Sequence, residues 1–341
     1  MTKRYNWAIL GCGKIASKFA ADLILLPQAN LYAAASRNIE RSQLFASKFN
    51  FEKAYGSYEE LVNDPKVDIV YIATPHSHHR QHALLSLQHK KATLCEKAFA
   101  INTTEVKEMI ACAKANNTFL MEAFWTRFQP SFIKAMEIIE SKRLGQLKIV
   151  RSDFAFNSPK DAAQRLYNPE LGGGALLDIG IYPVFASLLA LGKPSQIKTL
   201  VQCGFTNCDE SILMSFSYSN GAMASLSASF AAYSSTQTEF WFEKGYLRLN
   251  KRWFTPTTLT IWEEGMNEEL NIPVEQTNGT GYQFEAQHVM QCLDEGKTES
   301  NLMSLQKSLD LIEILDRVRA DCGIVYPEHD LNSPDENQLL A

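Results

Sequence analysis

Several features are missing from this sequence, and each absence excludes something. No apolar run stands out as long enough to cross a bilayer, and the opening Met1-Thr2-Lys3-Arg4-Tyr5 lacks the apolar core of a signal peptide. No basic excess exists either: 33 Lys and Arg against 38 Asp and Glu leave a net charge of −5. Bulk electrostatic binding to nucleic acid or to an anionic membrane is therefore not expected, although small local basic patches stay open. The seven cysteines are an odd number, and their spacing fits no zinc framework. Reduced thiols in a cytoplasmic protein are the expectation. Internal repeats and low-complexity tracts are also lacking.

What is present is ordinary globular material: 45% hydrophobic and 21% charged residues over 341 positions. That length is too great for one compact core and comfortable for two domains. Up to about residue 123 short apolar runs alternate with helical patterns. Trp7-Ala8-Ile9-Leu10, Leu31–Ala35, Asp68–Ala73, Ala92–Cys95 and Phe119–Glu122 read as strands. Lys14–Leu25, Ile39–Phe49, His79–Gln88 and Thr103–Ala115 read as helices. Such alternation predicts parallel βαβ units and a doubly wound α/β Rossmann sheet in residues 1–123. After a helix over Pro130–Glu140 the period changes to two, in Lys148–Phe156, Ile197–Gly204, Ser211–Tyr218, Ala222–Ala231 and Thr238–Phe242. Asn220-Gly221 between two of these is a hairpin signal, since both residues tolerate positive φ. Residues 124–341 are thus expected to form an α+β substrate domain with a large, mostly antiparallel open sheet. Helices are expected over Tyr282–Leu293 and Ser304–Ala320, and loose order from Glu328 onward.

The first strand stops at Gly11-Cys12-Gly13, and Ala16 follows in the next helix. In a dinucleotide-binding turn the first glycine permits the tight bend and the second lets a pyrophosphate approach the backbone. The small third residue lets the helix pack close, and the helix N-terminus attracts phosphate. A plain structural turn is the bland alternative, but the context of strand, turn and helix favours the dinucleotide. At the end of the second strand an acid would select NAD. The chain has Ser36-Arg37-Asn38 instead, a hydroxyl and a guanidinium suited to the 2′-phosphate of NADP(H). The competing reading of Arg37 is a solvated surface charge. Glu96-Lys97 follows a buried strand, which puts Lys97 at the carboxyl edge where open α/β sheets bind ligands; a surface ion pair is the alternative.

Gly11-Cys12-Gly13-Lys14-Ile15-Ala16, Thr74-Pro75-His76-Ser77-His78-His79 and Glu96-Lys97-Ala98 stand in the order and spacing of the Gfo/Idh/MocA oxidoreductases, which the chain resembles. Gly172-Gly173-Gly174 through Asp178 to Tyr182, and Gly281–Glu285, extend the likeness over nearly the whole chain. Within the family it looks most like the dimeric dihydrodiol dehydrogenases, which also act as NADP-dependent D-xylose dehydrogenases. Glu122–Phe128 and Asp178–Tyr182 are the most specific stretches for that branch. Two departures stand out. Ala98 replaces the usual proline after Glu-Lys, and Tyr182 stands where many members have histidine, as it does in the dihydrodiol branch. The resemblance implies Lys97 and Tyr182 as the catalytic pair, Arg37 on the cofactor phosphate, His76 and His79 near the cofactor, and a homodimer through the second domain. Lys14, Ile15, Thr74 and Glu96, in the same motifs, join the expected NADP(H)-binding set.

The chemistry is coherent by itself. Hydride transfer to a carbonyl creates a developing alkoxide, which needs a proton and a nearby positive charge. A tyrosine hydroxyl is a weak acid–base near neutrality unless a neighbouring ammonium assists it. Asp178 and Tyr182 are four apart and share a face if helical, so Asp178 could orient the site; Pro183 is expected to kink or break that helix. Trp125, Arg127 and Phe128 read equally well as lining for a substrate pocket or as packing between domains. His76, His78, His79, His82 and His89 cluster in sequence, but no matching Cys or carboxylate pattern accompanies them, so no metal is expected. Cys12 is read as packing. The leading function is an NADP(H)-dependent oxidoreductase of a sugar, cyclic diol or dicarbonyl. The alternatives are a non-catalytic dinucleotide sensor and a non-hydride enzyme that recycles bound NAD; fold alone separates none of them.

Overall fold

The structure, a computed structural model, describes residues 3–274 and 278–330. The chain divides into two compact units: Met1–Ala100, Thr104–Phe128 and Thr277–Leu309 form the first, and Ile101–Thr103, Gln129–Gln276 and Asp310–Ala341 the second. A cut near residue 124 was expected. The segment 277–309 was expected in the second domain, yet it returns to the first unit.

The first unit runs β1 (Tyr5–Leu10), α1 (Lys14–Leu23), β2 (Ala29–Ala35), α2 (Ile39–Phe49), β3 (Lys53–Tyr55), α3 (Tyr58–Asn63), β4 (Ile69–Ile72), α4 (His79–Gln88), β5 (Ala92–Glu96), α5 (Thr103–Asn116) and β6 (Leu120–Ala123). The six strands are parallel in the order β3-β2-β1-β4-β5-β6. Helices cover both faces of such a sheet, so its central strands are apolar without alternation: Trp7 to Leu10 and Ile69 to Ile72 are fully buried. Strand order reverses between β1 and β4, which opens a crevice at their carboxyl ends. The short β3 and α3 had not been read from the sequence.

The second unit begins with α6 (Pro130–Glu140) and β7 (Leu147–Ala155), then α7 (Ile181–Leu191), β8 (Gln196–Cys203), β9 (Asp209–Ser217), β10 (Met223–Ser229), β11 (Thr238–Phe242), β12 (Gly245–Leu249), β13 (Leu259–Glu263) and β14 (Leu270–Ile272). Its eight strands lie in the order β14-β13-β12-β11-β7-β10-β9-β8. All neighbours are antiparallel except β7 and β10. Alternation decides which face is covered. Ile212, Met214 and Phe216 of β9 and Ala224, Leu226 and Ala228 of β10 are buried, while Leu213 and Met223 are exposed. Helix α7 packs on β7 and β10. Its Phe185 stacks with Phe132 of α6, and Phe132 stacks in turn with Trp253. Burying one such phenyl ring contributes about 1.5–3 kcal/mol.

The β9–β10 turn forms where Asn220-Gly221 stands, with Tyr218 N–H on the Ala222 carbonyl at 3.0 Å. Only Gly221 adopts positive φ; Asn220 acts instead through its side chain, which accepts from the Ala222 N–H at 3.0 Å. Pro183 does not break its helix either: Leu176–Gly180 is wound as a π-helical turn and runs directly into α7, of which Pro183 is the third residue. The stretch Pro169–Leu191 is apolar and helical enough to pass as a membrane span, with a mean hydropathy of 1.8, which the sequence reading missed. It is a core helix here: 83% of its apolar window is buried within the protein.

Three helices complete the described residues: α8 (Tyr282–Asp294) in the first unit, α9 (Leu305–Cys322), and α10 (Pro327–Asp330) in the second. Asp22 of α1 ties down the start of α8, accepting from Thr280 N–H and Oγ1 and from Tyr282 N–H, each at 2.9 Å. The loose order expected from Glu328 does not extend over residues 328–330, where Asp330 accepts from Arg319 at 2.7 Å and from Tyr326 N–H at 2.8 Å. The remainder of that expectation concerns residues 331–341, outside the described residues.

Candidate active site

The first unit gathers one group of candidate residues at the carboxyl edge of its sheet. Gly11 follows β1 with φ +100°, and a Cβ there would lie 2.9 Å from Thr74 Cγ2 and 3.0 Å from the Ala73 carbonyl oxygen. The fold itself therefore requires this glycine. Gly13 differs: a Cβ would meet only the Ala73 carbonyl oxygen, at 4.0 Å. Among the described residues nothing comes closer to that Cβ, so the space Gly13 leaves is available to a ligand. Helix α1 starts there with no side-chain cap and no acid in its first turn. Its opening N–H groups, from the turn residues Lys14, Ile15 and Ala16, carry the positive end of the helix dipole. This uncapped start beside an open cradle fits a pyrophosphate. Ala16 is fully buried, as close packing against the sheet requires, while Lys14 is exposed.

Ser36 is buried at the end of β2, and Arg37 beside it is exposed. Asn38 caps α2 by accepting from the Arg41 N–H at 3.0 Å. The Arg41 guanidinium reaches back and donates to the Cys12 carbonyl oxygen from Nε at 3.2 Å and Nη2 at 3.0 Å. Arg41 was not singled out from the sequence. Its signal is the i,i+4 spacing from Arg37 across a helix start, which puts a second guanidinium at the same edge. Cys12 itself is buried, and burial pushes its thiol up to about 11, consistent with packing.

Thr74, after β4, is gripped by two histidines of α4. His82 Nδ1 lies 3.0 Å from Thr74 Oγ1, and His79 Nε2 lies 2.8 Å from the Thr74 carbonyl oxygen. The other ring nitrogen of His79, Nδ1, is 2.7 Å from the Ala98 carbonyl oxygen. Carbonyl oxygens only accept, so the ring nitrogen of His79 that carries the proton is the donor. His79 thereby links the loop after β4 to the turn after Lys97. Burial, then the charges of His78, His79 and Arg37, push His82 down to about 3, which leaves it neutral. His76 is also buried, with its ring edge-on to His79 at 5.6 Å. Among the described residues no three His, Cys, Asp or Glu side chains gather as a metal site.

Lys97 stands half-buried just beyond the end of β5, and its peptide bond to Ala98 is cis. Glu96 before it is buried and bonded to the Tyr71 hydroxyl. Glu122 on β6 is 1% exposed and accepts from the Phe99 N–H at 3.1 Å, two residues past Lys97. Burial pushes Glu122 up to about 8. The neutral acid therefore braces the turn that presents the lysine. Trp125 stacks on Tyr282 at 4.2 Å, Phe128 lies 5.0 Å from the His288 ring, and Arg127 Nε donates to the Leu302 carbonyl at 3.3 Å. These three residues thus pack against α8 and the segment that follows it.

The second unit holds the other group. Leu176–Gly180 is a π-helical turn that runs directly into α7, a feature frequent at functional sites. It presents Asp178, 8% exposed, whose Oδ1 accepts from Arg165 Nη2 at 2.8 Å. Tyr182 is 5% exposed in an aromatic nest, with ring centroids 5.4 Å from Phe154, 5.4 Å from Phe254 and 6.3 Å from Trp253. Arg165 gave no signal in the sequence, because its partner stands thirteen residues away through an irregular loop.

Residues 5–124 match the oxidoreductase family with an NAD-binding Rossmann fold, and residues 132–248 match the GFO/IDH/MocA C-terminal domain. Trans-1,2-dihydrobenzene-1,2-diol dehydrogenase of Xenopus laevis is 37% identical over 331 residues, 94% of this chain and 99% of its own. The human enzyme of the same name is 36% identical over 332 residues, 95% of this chain and 98% of its own. Among solved structures, aldose-aldose oxidoreductase from Caulobacter crescentus superposes with a TM-score of 0.86 at 22% identity, covering 94% of this chain and 98% of that one. A 3-ketoreductase from Actinomadura kijaniata in complex with NADP and TDP-benzene gives 0.85 at 23%, with the same coverage. Levoglucosan dehydrogenase in complex with NADH and levoglucosan also gives 0.85, at 19%, again with that coverage. At these identities the structures speak for the fold. The relatives speak for more: the chain is an oxidoreductase with a nicotinamide-dinucleotide-binding Rossmann domain, and it belongs to the Gfo/Idh/MocA family.

Proposed function

We propose that this enzyme is an NADP(H)-dependent dehydrogenase or reductase of a small sugar, cyclic diol or dicarbonyl. The observation that carries the reading is one sheet edge: the open cradle at Gly13, Ser36 with Arg37 and Arg41, and Lys97 at the ends of β1, β2 and β5. The backbone around Gly11, Gly13 and α1 would take the pyrophosphate. Ser36 and Arg37 would take a 2′-phosphate, with Thr74, His76, His79 and Glu96 lining the remainder. The nicotinamide, when bound, supplies or accepts the hydride. Lys97 provides positive charge to the developing alkoxide, and the Tyr182 hydroxyl passes the proton. Asp178, fixed by Arg165, orients substrate hydroxyls, and Trp125, Arg127 and Phe128 contribute lining. Relatives named dihydrodiol dehydrogenases support the substrate class; neighbours bound to NADP in one case and NADH in another leave the cofactor to Ser36 and Arg37.

The free cysteines suit a cytoplasmic setting. The outer face of the second sheet, where Leu200, Leu213 and Met223 are 73%, 57% and 53% exposed, suits a second copy of the chain. Leu213→Glu should then shift the sedimentation coefficient from dimer to monomer; a monomeric native chain would remove that part of the proposal. The main test is a screen of sugars, cyclic diols and dicarbonyls, following cofactor absorbance with NADP and NAD in parallel. Turnover that is faster with NAD on every substrate, or no turnover on any of the three classes, would overturn the reading.

A further inference from the structure

The first turn of any helix leaves N–H groups without an intrahelical acceptor, and a side chain just before the helix usually supplies one. The helix that carries Asp178 and Tyr182 has no such residue: three glycines and Ala175 precede it, and none can cap. The acceptor comes instead from Asp209, 33 residues further on at the start of β9. Its Oδ2 takes the Leu176 N–H at 2.5 Å. The Ala175 N–H also points at this carboxylate. Asp209 is 1% exposed.

The glycines make this possible. Gly174 has φ +123°, and a Cβ there would stand 2.0 Å from Asp209 Oδ1. A Cβ on Gly173 would fall 2.6 Å from the Arg165 carbonyl oxygen and 2.7 Å from that of Asn168. The Gly173 carbonyl in turn accepts from the Tyr326 hydroxyl at 2.8 Å. The glycine run is therefore a seat: backbone pressed onto Asp209 below and onto the Arg165 loop beside it. Arg165 is the partner of Asp178, so one seat fixes both members of that pair.

We propose that Asp209 is a positioning residue for the reaction, setting through the 174–177 turn where Asp178 and Tyr182 stand. The proposal rests on the acid–base reading of Tyr182 given above. Arg319, Tyr326, Cys208 and Cys322 are the titratable groups around Asp209. Burial pushes its carboxyl up to about 7, and the Leu176 and Ala175 N–H groups and Arg319 pull against that shift. Ionised or neutral, it presents an acceptor oxygen, so an amide of the same shape should serve in its place.

Asp209→Ala and Asp209→Asn test this, with Tyr182→Phe as reference. Amide exchange at single-residue resolution and steady-state kinetics are the readouts. In the native enzyme Ala175 and Leu176 should exchange at least about tenfold more slowly than first-turn amides without a cap. Asp209→Ala should speed both by about tenfold or more. It should lower kcat by about ten- to a hundredfold, the cost of displacing a reacting group by around an ångström, while cofactor Kd stays within about twofold. Asp209→Asn should restore most of both. Unprotected native amides overturn the proposal. So does an Asp209→Ala enzyme with native kcat, or a failure of Asn to rescue. If the alanine variant does not fold, the native exchange rates and the asparagine variant still decide. If Tyr182→Phe keeps native turnover, the acid–base reading falls by itself, and the exchange and rescue results separately uphold or overturn the hold of Asp209 on the turn.

Discussion

The guanidinium of Arg41 is bonded twice to the carbonyl oxygen of Cys12, at 3.2 and 3.0 Å, so the glycine turn and the start of α2 are fastened together. The backbone that would cradle phosphates is held by a cation four residues from Arg37. On the proposed reading both arginines bear on cofactor binding, and Arg37 alone on the choice between the two cofactors. Arg37 is exposed and free to meet a 2′-phosphate, whereas Arg41 shapes the turn. Arg37→Ala should cost about ten- to a hundredfold in NADP(H) affinity and little in NAD(H) affinity, as loss of one charge-assisted contact implies. Arg41→Ala should weaken both cofactors. Dissociation constants from protein fluorescence quenching check this; equal native affinity for the two cofactors would contradict it.

Lys97→Met removes charge at the end of β5 but keeps the stem. Turnover should fall by about a hundredfold or more, since one electrostatic stabiliser of the developing alkoxide is lost. Cofactor affinity should hardly move. Single-turnover rates at saturating cofactor are the measurement, and a native rate would take Lys97 out of the mechanism.

Tyr182→Phe keeps the ring among Phe154, Trp253 and Phe254 and removes only the hydroxyl. Turnover should drop by about 10²–10⁴-fold, the usual contribution of a general acid–base, with a smaller change in substrate KM. If the Tyr182 hydroxyl passes the proton as proposed, one limb of the native pH–rate profile should vanish in the variant. Retention of both rate and profile would hand the proton to Lys97.

Glu122 bears on stability. Burial holds its carboxyl at about 8, well above its value in an unfolded chain near 4.3, so the folded state binds the extra proton between those pH values. Stability must then fall as pH rises across that window, because ionising a buried acid costs more than ionising an exposed one. Glu122→Gln keeps an acceptor for the Phe99 N–H and cannot ionise. Denaturant midpoints from pH 5 to 8 should decline less steeply for the glutamine variant. Parallel slopes for variant and native enzyme would show that Glu122 does not titrate there.

The local part of this structure was legible in the sequence because it is encoded by near neighbours. A continuous apolar run such as Ile69–Ile72 can be satisfied only inside a sheet covered on both faces, and the period-two pattern of Met223–Ser229 only on a sheet covered on one. The strand, Gly11-Cys12-Gly13 turn and helix are likewise marked by adjacent residues, although the atoms that exclude a Cβ at Gly11 belong to the distant Ala73 and Thr74. The elements that escaped are of two kinds: β3, α3, α10 and β12 to β14 are three to six residues long, too short for periodicity to rise above chance, while α7, at 11 residues, is apolar all round and so carries no helical period.

The rest was decided by tertiary structure. Asp22 and Thr280 are 258 residues apart, and nothing near either shows that one caps the other's helix or that 277–309 belongs to the first unit. Gly174 looks like part of a flexible glycine run until Asp209 is found 2.0 Å from where its Cβ would be. Sequence alone determined which segments become strands and helices and which residue types could carry hydride chemistry. Packing chose the buried carboxyls, the bridging histidine and the cap on the Tyr182 helix. Those depend on which polar groups lose water together, and that is settled only when distant segments meet.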